Sequence, residues 1–184
     1  MQKTVLFLVA LIGFFGFIYY LNEQANDDPL SDIQIIPNNI DYYLKNTQQS
    51  SFKDNGLLDF KLDTELVEHY KKEDNSLMQQ PKMQVYRNQH WDIKAQQGLF
   101  KHKSEEVIFT SDVVIKKLDP NDYFKIIGEH FLFQVQQDLV ISKTDVKVEG
   151  KDWELKAKTM TLNMDKDIHQ FTTVKAQYRH DKKT

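Results

Sequence analysis

Residues 91–116 read WDIKAQQGLFKHKSEEVIFTSDVVIK, and their pattern decides the fold. Trp91-Asp92-Ile93-Lys94-Ala95 alternates apolar and charged side chains, the period of two that sends one face of a strand indoors and the other into water. A polar turn follows. A second strand then returns over 107–115, ending in Ser111-Asp112-Val113-Val114-Ile115. The unit recurs. Phe60-Lys61-Leu62, Trp91-Asp92-Ile93, Phe124-Lys125-Ile126 and Trp153-Glu154-Leu155 open four segments spaced 31, 33 and 29 residues apart. Met83-x-Val85, Asp112-Val113-x-Ile115, Asp145-Val146-x-Val148 and Val174-x-Ala176 mark the matching return strands. A period near 30 residues is the mark of stacked supersecondary units. It predicts that Phe60, Trp91, Phe124 and Trp153 hold equivalent places along one inner face.

Working outward, 40–53 reads as a first strand pair or ragged strand. Lys53-Asp54-Asn55-Gly56 reads as a hairpin with a type I′ turn at Asn-Gly. Residues 66–70 continue as a strand, and 77–86 returns, bulged or at an edge because of Pro81. Asp119-Pro120-Asn121-Asp122 and Gln136-Gln137-Asp138 read as turns, and the last strand starts at Val174. No window after Leu21 carries a sustained 3.6-residue apolar period. The expected class is therefore all-β: a sandwich, jelly roll or open barrel of short antiparallel strands over 40–178.

The N-terminal part is of another kind. Thr4 to Leu21 is eighteen uncharged residues, TVLFLVALIGFFGFIYYL, which as a helix would span about 27 Å against a hydrocarbon core of roughly 30 Å. Lys3 precedes it, and Glu23, Asp27, Asp28 and Asp32 follow. That bias predicts one transmembrane helix over 1–21 with a cytoplasmic N-terminus. A cleaved signal peptide is the competing reading, but the apolar run is long for one and no small-x-small site follows Leu21. Residues 22–39 read as an acidic linker with Pro29 and Pro37, and 179–184 as a charged tail.

Composition narrows the chemistry. The net charge is −3 across 184 residues, which argues against nucleic acid as partner, since phosphate binding needs clustered cations. There are no cysteines, so disulfides, thiolate metal sites and a Cys nucleophile are excluded. His69, His90, His102, His130, His169 and His180 form no H-x-H or HExxH pair, and no nucleophile elbow or phosphate loop is present. No catalytic set, metal site or cofactor is expected. Asp112 and Asp145 recur at equivalent places as turn residues. Lys61, Lys94, Lys125 and Lys156 point away from the apolar face and form a solvated surface. Two readings fit that apolar face itself: a dry core filled by Phe60, Leu62, Trp91, Ile93, Phe124, Ile126, Trp153 and Leu155, or an incompletely closed groove for an acyl chain. The final strand, with Val174, Ala176 and Tyr178, is an open edge that invites strand addition.

The order of these features resembles the LptC family of lipopolysaccharide-export proteins. The resemblance is carried by Asp54-Asn55-Gly56 with Leu58-x-Phe60-x-Leu62, by Val67-Glu68-His69-Tyr70 and Gln80-Pro81, and by Trp91-x-Ile93-Lys94-Ala95. The Val-x-Val-x-Gly run ending at Gly150 and Val174-x-x-x-Tyr178 complete it. Where the family pattern has a Tyr-Gly pair, this chain has Thr110-Ser111. The resemblance implies a twisted β-jelly roll in the periplasm, preceded by one inner-membrane helix. Its interior would hold the acyl chains of lipopolysaccharide, with Thr47, Met78, Ile168 and Tyr178 as wall positions. Phe60, Trp91, Ile93, Phe124 and Trp153 would share that wall. Gly56 and Gly150 match characteristic family glycines, read here as turn residues. The implied partners are lipopolysaccharide, the permease subunits of an inner-membrane ABC transporter at the anchor and N-terminal edge, and a soluble bridge protein at the C-terminal edge. The implied role is non-enzymatic transport of lipopolysaccharide from inner to outer membrane. The alternative is a tethered adaptor with a filled core that binds only proteins through its edge strands.

Overall fold

The computed structural model describes residues 39–119 and 123–178. The expected anchor, the linker through residue 38, part of the turn at 120–122 and the tail from residue 179 lie outside these. Among the described residues no helix is long and apolar enough to cross a membrane.

The described residues form fourteen strands of one continuous antiparallel sheet. They are β1 (Tyr42–Phe52), β2 (Leu58–Tyr70), β3 (Asn75–Gln79), β4 (Lys82–Tyr86), β5 (His90–Lys94), β6 (Gln97–Lys101) and β7 (Glu106–Lys117). Then follow β8 (Phe124–Gln134), β9 (Leu139–Ser142), β10 (Val146–Gly150), β11 (Trp153–Ala157), β12 (Thr159–Asn163), β13 (Ile168–Thr172) and β14 (Lys175–Tyr178). The long strands β1, β2, β7 and β8 run the full height of the fold. The short ones join end to end as broken passes: β3 with β4, β5 with β6, β9 with β10, β11 with β12, and β13 with β14. Each pass pairs with the next in chain order, so the domain is a meander whose every pass crosses from one half of a folded sheet to the other. Half I holds β3, β6, β9, β12, β13 and one end of each long strand. Half II holds β4, β5, β10, β11, β14 and the other ends.

The crossing is made by backbone conformation. Asn46, Ser111 and Asp112 sit at φ of 50°, 64° and 53° inside long strands, and Gln80 and Thr173 at 51° each between short ones. A residue in the left-handed region turns the strand, and for Gln or β-branched Thr it costs about 1–2 kcal/mol. Hydrogen bonds along this spine offset part of that cost. The Gln80 N–H donates to the Gln96 carbonyl and the Gln96 N–H to the Ser111 carbonyl, each at 2.9 Å. The Gln80 and Gln96 amides also meet at 2.5 Å. Pro81 therefore marks neither an outer edge nor a bulge. It lies at the corner where β3 ends and β4 begins, and its carbonyl accepts from Ala95 at 3.2 Å.

The recurring motif maps onto this plan. Its openings at Phe60, Trp91, Phe124 and Trp153 all fall in half II, on β2, β5, β8 and β11. The 30-residue period is one up-and-down pair of passes. Leu62, Met83, Ile93, Ile115, Ile126, Val148, Leu155 and Ala176 stand directly opposite one another in succession across half II. Such cross-strand pairs contribute about 0.2–1 kcal/mol each, and full burial of one such side chain about 1.5–3 kcal/mol. Residues 66–70 continue β2, and 40–53 yields one strand, not a pair. Val174 precedes β14 as part of the corner.

The Asn-Gly hairpin is displaced by one residue from the type I′ expectation. Within it only Gly56 takes positive φ, at +81°. Its N–H donates to the Lys53 carbonyl at 2.8 Å, and the Lys53 N–H donates to the Leu57 carbonyl at 2.8 Å. This is an ordinary turn over Asp54 and Asn55 closed by a left-handed glycine, and it shifts the β1–β2 register between Ser51 and Phe52.

Candidate functional site

The interior lies between the two halves, and it is filled only at mid-length. Trp91, Ile93, Phe109, Ile115, Ile126, Phe131 and Phe133 are each 0% exposed. Contacts between the halves are staggered along the chain. Arg87, in the β4–β5 turn, pairs with Asp138 just before β9, and with Asp59 on β2. The Trp91 indole on β5 donates to the Met164 carbonyl beyond β12 at 3.3 Å. Phe124 on β8 stacks on His169 of β13 at 4.5 Å between centroids. Each pass of half II thus faces a later pass of half I, and an overhang is left at both ends. On half I the overhang exposes Tyr42 and Leu44. On half II it exposes Val174 and Tyr178, the latter 76%.

Between the halves on the β1–β2 side is an open cavity of about 570 Å³. Phe60, Leu62, Met83, Phe100, Val107 and Val135 supply its apolar surface. Gln49, Ser51, Lys53, Arg87, His102, Glu105 and Asp138 are among its polar lining. At the opposite end the inner face of half II continues as Trp153, half-buried against Phe124, then Leu155, Ala176 and Tyr178. An apolar face that is closed in the middle and open at both ends is a surface on which hydrocarbon gains free energy by leaving water.

The expected wall residues fall in three settings. Phe60 lines the cavity, while Trp91, Ile93 and Phe124 are buried at mid-length. Thr47 shares a hydrogen bond of 2.7 Å with Thr64 at the corner of the β1 pass, and Met78 is 2% exposed beneath Gly98. Trp153 and Tyr178 oppose each other on the half II overhang. Ile168 departs from the expectation. It starts β13 and is 50% exposed, on the face opposite His169, which stacks on Phe124, and Phe171, which packs against the core. The strand alternation of two places it outside. Gly150 departs too. It ends β10 rather than making a turn, and the Trp153 indole occupies the space where its side chain would stand. Lys125 and Lys147 lie on the outer face, where Glu149 and Glu154 pair with them at 3.0–3.3 Å.

Two features escape a reading of the sequence. Arg87 and Asp138 are 51 residues apart, and nothing local signals their pairing. The fold also brings His69 and His102 together on Ser76, at 3.3 and 2.8 Å from its hydroxyl. Among the described residues, no carboxylate is hydrogen-bonded to either imidazole of that group. Among the described residues no three His, Asp or Glu side chains converge as a cation site needs. In the turn between β12 and β13, burial alone would raise the Asp167 carboxyl. The hydrogen bond and charge of Lys117, with His169 beside it, instead hold it below the usual carboxylate range.

The family model for lipopolysaccharide-assembly, LptC-related proteins matches residues 8–179. Comparison with curated proteins gives no match. Among solved structures, the chain is similar to LptH from Pseudomonas aeruginosa, the LptA-homologous periplasmic component of the conserved lipopolysaccharide transport device. The TM-score is 0.54 at 11% identity, covering 66% of this chain and 95% of that one. At that identity the likeness establishes the fold alone.

Proposed function

The chain belongs to the LptC family of lipopolysaccharide-assembly proteins, and on that premise we propose that it is a membrane-anchored bridge component. It receives lipopolysaccharide from an inner-membrane ABC transporter and passes it to a soluble periplasmic bridge protein. The observation that carries this reading is the apolar interior open at both ends: the cavity of about 570 Å³ and the exposed inner face running to Tyr178. Acyl chains lie on these surfaces, and the sugar headgroup stays in water. Each buried CH₂ contributes about 0.8 kcal/mol, so a multi-chain lipid leaves slowly unless an acceptor face is aligned. The chain performs no covalent chemistry in this role, and the work comes from the transporter's ATPase.

Residues 4–21 serve as the anchor and reach the permease subunits. Residues 22–39 tether the domain, and β14 receives the soluble partner by strand addition. The support for the last point is that, among the described residues, β14 pairs only with β11, which leaves one row of backbone groups for another chain. A photo-crosslinking residue at Met78 or Tyr178, in cells assembling lipopolysaccharide, should yield lipid adducts. Adducts with protein and never with lipid at both positions would replace this reading by that of an adaptor with a filled core. Val174→Pro should weaken association with the soluble bridge partner while membrane insertion persists, and unchanged association would remove the edge from the account.

A further inference from the structure

The strands themselves join the two halves along the spine of corners. At the opposite lip the joining is noncovalent, and at mid-length polar ties accompany the Phe124–His169 stack and the Trp91–Met164 hydrogen bond. Arg87 of half II pairs with Asp138 of half I while also holding Asp59, and its side chain is only 5% exposed. The Asn88 amide donates to the Asp165 carbonyl at 3.0 Å. Lys117, at the end of β7, pairs with Asp167 at 2.7 Å, its side chain 7% exposed. Each contact ties a turn or strand end of half II to a turn of half I.

These ties stand over the stretch where the interior is filled. The cavity lies on one side of it, with Arg87 and Asp138 in its lining. The overhang of Trp153 and Tyr178 lies on the other. Between them the packed side chains of Trp91, Ile93, Ile115 and Phe133 leave no exposed surface. The interior is therefore two compartments separated by a waist.

We infer that these polar ties form a clasp that must part for an acyl chain to pass the waist, so that lip opening gates traffic between the compartments. The inference rests on the proposed role of the interior in holding acyl chains. Its physical basis is the chemistry of the seam. An apolar seam opened to water loses its whole burial free energy. Ion pairs opened to water regain hydration that largely replaces what they lose, and apolar packing in their place would often be no less stable. Polar lips are those of a seam that opens, with the covalent spine as its hinge.

The chain has no native cysteine and two tryptophans, which makes a clean test available in the full-length protein. Asn88→Cys with Asp165→Cys, bridged by a short bifunctional thiol reagent, locks the lips. Trp153→Phe leaves Trp91 as the sole fluorophore, inside the waist. Phe60→Trp with Trp91→Phe and Trp153→Phe reports the cavity instead. The probe is synthetic lipid A with brominated acyl chains, which quenches a tryptophan only on contact. With free thiols both reporters should be quenched. With the lips bridged, the cavity reporter should remain quenched, and Trp91 should return to the level of unbrominated lipid. Quenching of Trp91 in the bridged protein overturns the clasp, as does a Trp91 never quenched while the cavity reporter is. Loss of quenching at both reporters in the unbridged protein overturns the transport reading itself.

Discussion

Trp91-Asp92-Ile93-Lys94-Ala95 and Trp153-Glu154-Leu155-Lys156-Ala157 are nearly the same sequence on nearly the same element, yet they live in different places. Both open a half II strand, and both send Trp and the next apolar residue inward. Trp91 and Ile93 are 0% exposed, whereas Trp153 and Leu155 are half-buried. The strands do not differ; what lies across from them does. Half I is displaced along the chain relative to half II, so β5 faces the end of β12 while β11 projects past the last pass of half I. One motif thus serves as core at the waist and as an open wall at the end. A repeat dictates the rib, and the stagger of the two halves decides whether a rib is core or surface.

Several changes would break or sharpen that contrast. The largest effect is expected at the waist. Trp91→Ala should cost about 4 kcal/mol of unfolding free energy, the scale of a fully buried Trp truncation, and Trp153→Ala about half as much. Urea denaturation of the two variants measures this, and equal losses would mean that the two ribs are equivalent after all. Next comes the clasp. Arg87→Ala leaves Asp59 and Asp138 facing each other without their cation and should cost about 2 kcal/mol. Lys82→Ala, on the exposed outer face, should stay within about 0.5 kcal/mol. Gly150→Val forces the Trp153 indole off its seat at about 1–2 kcal/mol. It should shift the emission of Trp153 while leaving Trp91 unchanged, and a shift at Trp91 would show that the ends are not independent of the waist.

The smallest effect is acid dependence. The Asp167 carboxyl is held below its ordinary value by Lys117 despite its burial. A depressed folded-state pKa means that the unfolded chain binds the proton more tightly. The stability from this pair is therefore fully present above the ordinary value of 3.8 and is lost as pH falls through the lower folded value. Asp167→Asn should flatten the loss of stability below about pH 4. An unchanged acid slope would take the Lys117–Asp167 pair out of the seam's energetics.

Much of the fold was legible because strand alternation is local. The motif openings at Phe60, Trp91, Phe124 and Trp153 place four ribs, and their return partners follow at the same period. The Asn-Gly turn was located correctly but with another geometry, because positive φ at Gly56 alone suffices once a bulge absorbs the odd residue. The corners were harder to read. Gln80, Ser111 and Thr173 carry no glycine signature, so the crossing of each pass between halves was hidden, and β3 and β4 read as one interrupted strand. The exposed face that Ile168 takes is hidden for a related reason, since its direction depends on the register in which β13 leaves its turn. The contacts that close the lip were invisible altogether. Arg87 meets Asp138, and Lys117 meets Asp167, through the stagger of the halves, a tertiary property with no local period.

On the proposed function, hydrocarbon lies against the inner face of the domain and nowhere else on it. Adjacent residues on β2 test it most directly, because Lys61 and Leu62 share a strand but point to opposite faces. A photo-crosslinker placed at each in turn, in the full-length chain saturated with lipopolysaccharide, should give strong lipid adducts at Leu62 and background at Lys61. Equal labelling at the two positions, or none at Leu62, would contradict the account.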